Sequence, residues 1–194
     1  MNWLFFDRKA TLVEAWRSVG LGARQASLGE VTEETNWKFL VTPGNSFGLM
    51  DGGFDKAVCE QFGWDVQDRV QKAIARWHGG LCPVGSCITV PLDDKGHHLI
   101  YAPTMEVPSK IQFTLNVFWA MRAAAMRVKV NWEGTRMGDQ FALCPGLGTS
   151  TGRVSPASAA MQMAAALDTD GPRAKNWKAA MQAMTKLDRM RSIG

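Results

Sequence analysis

The sequence predicts a three-layer α/β domain, with helices on both faces of a mixed central sheet, and three observations carry that prediction. Short apolar runs bounded by turn residues recur at 3–6, 37–41, 87–90, 99–102 and 141–144. None alternates cleanly with polar residues, which is the pattern of strands buried on both faces. Amphipathic stretches at 11–19, 55–77, 109–126 and 155–167 lie between these runs and supply the covering helices. The 194 residues, 46% hydrophobic and 21% charged, suit a single domain with one continuous interior.

Taken in order, the apolar run at 3–6 in the opening segment is a strand. That segment lacks the basic region, long apolar stretch and cleavage site of a secretory leader, and no apolar run approaches the roughly 18 residues of a membrane span. A cytoplasmic protein without membrane association is expected. Cys59, Cys82, Cys87 and Cys144 lie in or beside apolar segments without Cys-x-x-Cys spacing, so reduced, buried thiols are expected. Trp3, Trp37, Trp119 and Trp132 adjoin apolar runs and are expected in the core. The tail, 172–193, places Trp177, Ala180, Met181, Met184 and Leu187 at spacings of three and four, which predicts a last helix packed on the body. No linker or repeat divides the chain, so 1–194 reads as one domain.

A net charge of +4 and a pI of about 9.0 favour anionic ligands. No block of five or six basic residues marks a nucleic-acid surface, so a phosphate ligand suits this charge as well as a polynucleotide does, and a nucleic-acid-binding protein rests on mild basicity alone.

Two loops carry the chemistry. The first follows the 37–41 strand as Thr42-Pro-Gly-Asn-Ser-Phe-Gly-Leu-Met-Asp-Gly-Gly-Phe-Asp55 and leads into a helical run closed by Gly63. Glycines in a strand-to-helix connection allow a ligand close to the backbone, where open α/β sheets place their ligands. Asn45 leaves the strand and Asp55 opens the helix, so both can face one pocket. An acid at a helix start is equally explained as an N-cap.

The second loop follows the 141–144 strand: Pro145-Gly-Leu-Gly-Thr-Ser-Thr-Gly-Arg-Val-Ser-Pro156. Its glycines (Gly146, Gly148, Gly152) and hydroxyls (Thr149, Ser150, Thr151) precede a Ser155-Pro156 helix start, a combination that suits a diphosphate. It lacks the Gly-Lys-Ser/Thr ending of a Walker A loop, and its third glycine comes one residue late for Gly-x-Gly-x-x-Gly.

Together the two loops resemble those of the macrodomain family, in its MacroD-type pattern. Asn45-Ser46 and Gly52-Gly53-Phe54-Asp55 match that family's first ligand loop in register, while Met50 and Asp51 stand where it has glycines. Gly29-Glu-Val-Thr32 resembles its Gly-Asp-Ile-Thr motif, and 83–90 with 98–103 resembles a pair of its strands. The resemblance covers about 29–167. It implies a macrodomain-like fold and ADP-ribose or an ADP-ribosylated substrate as partner, with no cofactor and no metal. It further implies Asn45 and Asp55 as catalytic residues. Contacts to the ligand fall to Glu30 and Val31 at the adenine, Ser46, Gly52 and Gly53 in the first loop, and Gly146, Gly148, Thr149, Ser150, Thr151, Gly152 and Arg153 in the second. After Leu167 no strand with an adenine-stacking aromatic is evident, so Trp177 is the substitute stacker. Lys56 stands beside the matched aspartate, where it can alter the pKa of Asp55.

Three functions stay open at this point. They are a hydrolase of ADP-ribose linked at its terminal ribose, a non-catalytic binder of ADP-ribose-type nucleotides, and a structural domain that has lost the site.

Overall fold

A computed structural model describes residues 2–133, 139–168 and 174–192, with the side chains at 132, 133 and 192 excepted. In chain order the elements are β1 (Asn2–Asp7), α1 (Ala10–Ser18), β2 (Ala23–Gln25), α2 (Leu28–Glu34), β3 (Trp37–Asn45), α3 (Gly53–Phe62) and α4 (Asp65–His78). They continue with β4 (Ile88–Pro91), β5 (His98–Met105), α5 (Asn116–Glu133), β6 (Phe141–Cys144), α6 (Pro156–Ala166), α7 (Trp177–Asp188) and a 3-10 turn (Arg189–Ser192).

The sheet runs β2-β1-β6-β3-β5-β4. All neighbours are parallel except β4, which pairs antiparallel with β5. This is the mixed sheet expected from the sequence. On β3, Phe39 and Val41 enter the core beneath α1, α5 and α6, while Leu40 enters the one beneath α3 and α4. Both faces of that strand are covered, which is why its sequence shows no polar alternation. Trp16 anchors the first core, its indole N–H donating to the Met163 sulfur at 3.4 Å.

Several expectations change. Strand β2 was not anticipated, because Ala23, Arg24 and Gln25 carry no apolar signal and pair with β1 at an edge of the sheet. The 55–77 stretch is two helices, since Gly63 ends α3 at φ +101°. The helix expected from 109 starts at Asn116. Before it the chain makes a loop in which Phe113 adopts φ +62° and the Ile111 N–H donates to the Gly152 carbonyl at 2.9 Å.

The tail corrects the prediction of a packed last helix. Helix α7 buries no residue, and Trp177 and Met181 are largely exposed. Contact with the body comes from Leu187 and from Met190, whose carbonyl accepts the Ser158 hydroxyl at 3.1 Å. Among the tryptophans expected in the core, Trp37 is buried, Trp3 is half-buried and Trp119 is exposed on α5, while the side chain of Trp132 lies outside the described residues.

Candidate functional site

The parallel strands β1, β6, β3 and β5 point their C-terminal ends the same way, so the loops that follow them meet on one edge of the sheet. There they enclose two adjoining cavities. One, about 280 Å³, is lined by Asn45, Asp55, Gly52, Gly148, Thr151 and Gly152 among others. The other, about 320 Å³, is lined by Phe6, Arg8, Ser27, Leu28, Ala57 and Thr149 among others. Gly53, Phe54, Gly146 and Ser150 line both, making one cleft with two ends. Phe54 forms the divide and is held edge-on by Phe6 at a centroid distance of 5.8 Å.

The second loop is built to present backbone donors. The Val154 N–H donates to the Gly148 carbonyl at 3.1 Å, and the Arg153 N–H to the Ser150 carbonyl at 3.1 Å. Ser155 caps α6 by accepting from the Ser158 N–H at 3.2 Å. Among the described residues, no protein acceptor takes the N–H groups of 147–152. Backbone donors left without a protein acceptor in a glycine loop beside a helix N-terminus are suited to an anion. Gly148 sits at φ +69°, and a Cβ there would lie 2.8 Å from Val117 Cγ2, so only glycine lets the loop lie this deep.

The first loop adds a helix N-terminus. Gly52 is the N-cap of α3 with no side-chain cap bond, leaving the first-turn N–H groups open to the cleft. Asp55, third in the helix, does not cap it. Its carboxyl is buried, 6% exposed, and accepts from the Thr42 hydroxyl on β3. Burial pushes this carboxyl up to about 8, against the opposing pull of the Thr42 hydrogen bond, and Asp51 adds a further upward push. Lys56, expected to influence it, instead pairs with Glu60 one turn along the helix at 3.4 Å.

Asn45 is held from both sides. Its backbone N–H donates to the Tyr101 hydroxyl at 2.9 Å, and that hydroxyl donates to its carbonyl at 2.8 Å. The Tyr101 ring occupies the space a Cβ at position 44 would need, so Gly44 is required for this clamp. The Asn45 side-chain oxygen accepts from the Phe47 and Leu49 N–H groups at 3.0 and 3.3 Å, and its amide donates to the Leu49 carbonyl at 2.7 Å. One amide hydrogen remains for a ligand.

The structure thus brings Asn45, Gly52, Gly53, Asp55, Gly146, Gly148, Thr149, Ser150, Thr151 and Gly152 to the cleft. It does not bring the rest. Glu30 closes a capping box at the start of α2, accepting the Ser27 N–H at 2.7 Å and the Ser27 hydroxyl at 2.6 Å. Those bonds hold its carboxyl below the usual range and commit it to the helix end. Val31 is fully buried in the core beneath α3. Ser46 is buried below the loop, its N–H donating to the Glu106 carbonyl at 3.1 Å. Arg153 lines the outer side of the second loop rather than the cleft. Trp177 projects from α7, 86% exposed.

Sequence reasoning missed Thr42, Tyr101, Phe54 and the basic pair Arg8 and Lys9. The strand periodicity places Thr42 on a face opposite its neighbours, but nothing in the sequence ties Tyr101 to Asn45, 56 positions away.

No protein-family sequence profile matches the chain, and no curated protein matches it in sequence. Solved structures do match. The macrodomain of Mycobacterium tuberculosis DarG superposes with a TM-score of 0.56 at 16% identity, covering 87% of this chain and 91% of that one. The macrodomain of Thermus aquaticus DarG gives 0.56 at 19%, covering 87% and 93%. The Oceanobacillus iheyensis macrodomain with ADP gives 0.53 at 15%, covering 79% and 85%. With its mixed six-stranded sheet between helices, the chain has the macrodomain fold.

Proposed function

We propose that the cleft binds ADP-ribose and that the protein hydrolyses ADP-ribose linked at its terminal ribose, to a protein side chain, an acetyl group or a phosphate. The observation that carries this reading is one cleft lined by the glycine loop at 146–152, whose N–H groups at 147–152 find no protein acceptor among the described residues, by the N-terminus of α3 and by the buried Asp55 carboxyl. Structural neighbours in complex with ADPR and ADP support it.

The diphosphate lies between the two loops. The nucleoside takes the end lined by Phe6, Arg8 and Leu28, and the terminal ribose takes the end with Asn45 and Asp55. With its carboxyl raised to about 8, Asp55 is mostly protonated at neutral pH and is a hydrogen-bond donor rather than a base. In the reaction, a water oxygen bonds to the anomeric carbon as the bond to the departing group breaks. Asp55 gives its proton to that group and regains one from the attacking water. Proton transfer of this kind contributes about 10²–10⁴-fold, with positioning by the loops supplying much of the remainder.

Calorimetric titration gives micromolar binding of ADP-ribose, much tighter than AMP. Asp55→Ala keeps that binding and loses release of free ADP-ribose from a modified substrate. No heat with ADP-ribose removes the ligand reading, and undiminished turnover by the variant removes Asp55 from the reaction. A non-catalytic binder is the second reading, favoured by the Asn45 side chain being largely engaged within its own loop. A parent that binds ADP-ribose without releasing it from any substrate establishes that alternative.

A further inference from the structure

A further cavity of about 850 Å³, larger than either half of the cleft, lies on the β4 edge of the sheet and shares no lining residue with the cleft. Its floor is the segment 85–89 that runs into β4. One wall is the C-terminal end of α4 with Trp77, and the other is the side of α5 that carries Met126, Arg127 and Val130. Since α4 and α5 cover opposite faces of the sheet, the cavity is a slot that straddles the sheet edge.

Among the described residues β4 has one neighbouring strand, β5. Their register pairs Ile88 with Tyr101 and Val90 with Leu99, and it continues to Leu92, whose N–H donates to the His97 carbonyl at 2.8 Å. Antiparallel bonding alternates along a strand, so Ile88, Val90 and Leu92 bond to β5 while the Thr89 N–H and carbonyl point out of the sheet. Pro91 has no N–H and closes this short edge. Unpaired edge groups of this kind accept a further strand.

The walls select the strand. Trp77, Met126 and Val130 are exposed apolar side chains. Arg76 lies over the Trp77 ring, 4.8 Å from its centroid, and Arg127 stands on the facing wall within hydrogen-bonding reach of the Cys87 thiol. No acidic residue lines the slot, and among the described residues neither arginine is in a salt bridge. A second copy of this chain on the same edge would bring like arginines together, whereas a segment with carboxylates is drawn to them. We propose that the slot is a docking site for an extended acidic segment of a partner protein. The segment adds a strand beside β4 through the Thr89 backbone, seats apolar side chains against Trp77, Met126 and Val130, and sets a carboxylate on Arg127. The slot and the cleft have no residue in common, so this docking is independent of the nucleotide reading.

The test is a fluorescence-anisotropy titration of the full chain against two labelled peptides, Val-Glu-Val-Glu-Val-Glu-Val and its lysine counterpart. Alternation puts the charges on one face of the extended peptide and the valines on the other, so either way of docking sets carboxylates beside Arg76 or Arg127. The glutamate peptide is expected to bind the parent about tenfold tighter than the lysine peptide, and less tightly as salt rises. Arg127→Glu weakens it by about tenfold or more. Thr89→Pro, which removes the outward N–H and no bond to β5, does the same in a chain whose thermal unfolding shows it folded. Should that variant unfold, Arg127→Glu decides alone. Lys72→Glu on α4, an equal change of net charge, leaves affinity within about twofold. A glutamate peptide that does not bind, binds no better than the lysine peptide, binds Arg127→Glu as it binds the parent, or is weakened equally by Lys72→Glu overturns the proposal. Light scattering on the chain alone covers the other occupant: a dimer that Thr89→Pro dissociates gives the edge to a second copy and overturns the acidic segment.

Discussion

The two ends of the cleft differ in what builds them. At the end with Asn45 and Asp55, glycine backbone and one buried carboxyl line the space, fixed by packing against Val117 and Ile111 and by the Tyr101 clamp on Asn45. At the end with Phe6, Arg8 and Leu28, side chains from β1, from the start of α2 and from α3 line the wall, and the residues first assigned to the adenine are engaged elsewhere or exposed. A backbone cradle has little freedom to substitute its parts. A side-chain wall can be assembled from several elements in many ways, so its members are hard to assign by motif.

The largest effects should come from filling the backbone cradle. Gly52 is extended and a Cβ there meets nothing within 4 Å, so Gly52→Glu should fold like the parent. It should weaken ADP-ribose by about a hundredfold or more by setting a carboxylate against the diphosphate. Gly148→Glu should lose binding as well, but with a stability loss of about 1–3 kcal/mol, because its Cβ collides with Val117. Calorimetry with thermal unfolding separates the two. Unchanged affinity in Gly52→Glu would move the diphosphate out of the cleft.

A smaller and pH-dependent effect attaches to Asp55. Its folded pKa is raised to about 8 from an ordinary 3.8, so the folded state favours the protonated form. The associated stability is fully present below the ordinary value and is lost as pH rises through the folded one. The Tm advantage of Asp55→Asn over the parent should therefore widen from pH 4 to pH 8 and level off above. A constant gap across that range would show that Asp55 is ionised in the fold.

The smallest effects are expected at the residues first assigned to the adenine. Trp177→Ala should leave ADP-ribose affinity unchanged and stability within about 0.5 kcal/mol, since α7 buries nothing. Glu30→Ala should lower Tm through the lost capping box while keeping affinity within twofold. A large loss of affinity in either variant would return adenine recognition to that residue and erase the contrast between the two ends.

Much of the fold was legible because its signals are local. Five of the six strands coincide with apolar runs, and Ser155-Pro156 starts a helix as its cap chemistry requires. Strand β2 was not legible, being short, polar and defined by pairing with β1. The amphipathic tail misled, because spacing reveals an apolar stripe without revealing whether any surface receives it.

By itself, the sequence determined the layered α/β architecture, the two glycine loops and the pairing of Asn45 with Asp55, since these follow from periodicity, turn chemistry and fixed spacing. Only the tertiary structure decided the sheet order, the burial that raises the pKa of Asp55, the Tyr101 clamp, the capping role of Glu30 and the gathering of Lys9, Lys110 and Arg153 around one surface depression. The physical reason is the same for each. Desolvation, cross-element hydrogen bonds and the convergence of charges depend on distances between residues far apart in the chain, and neither composition nor spacing encodes those distances.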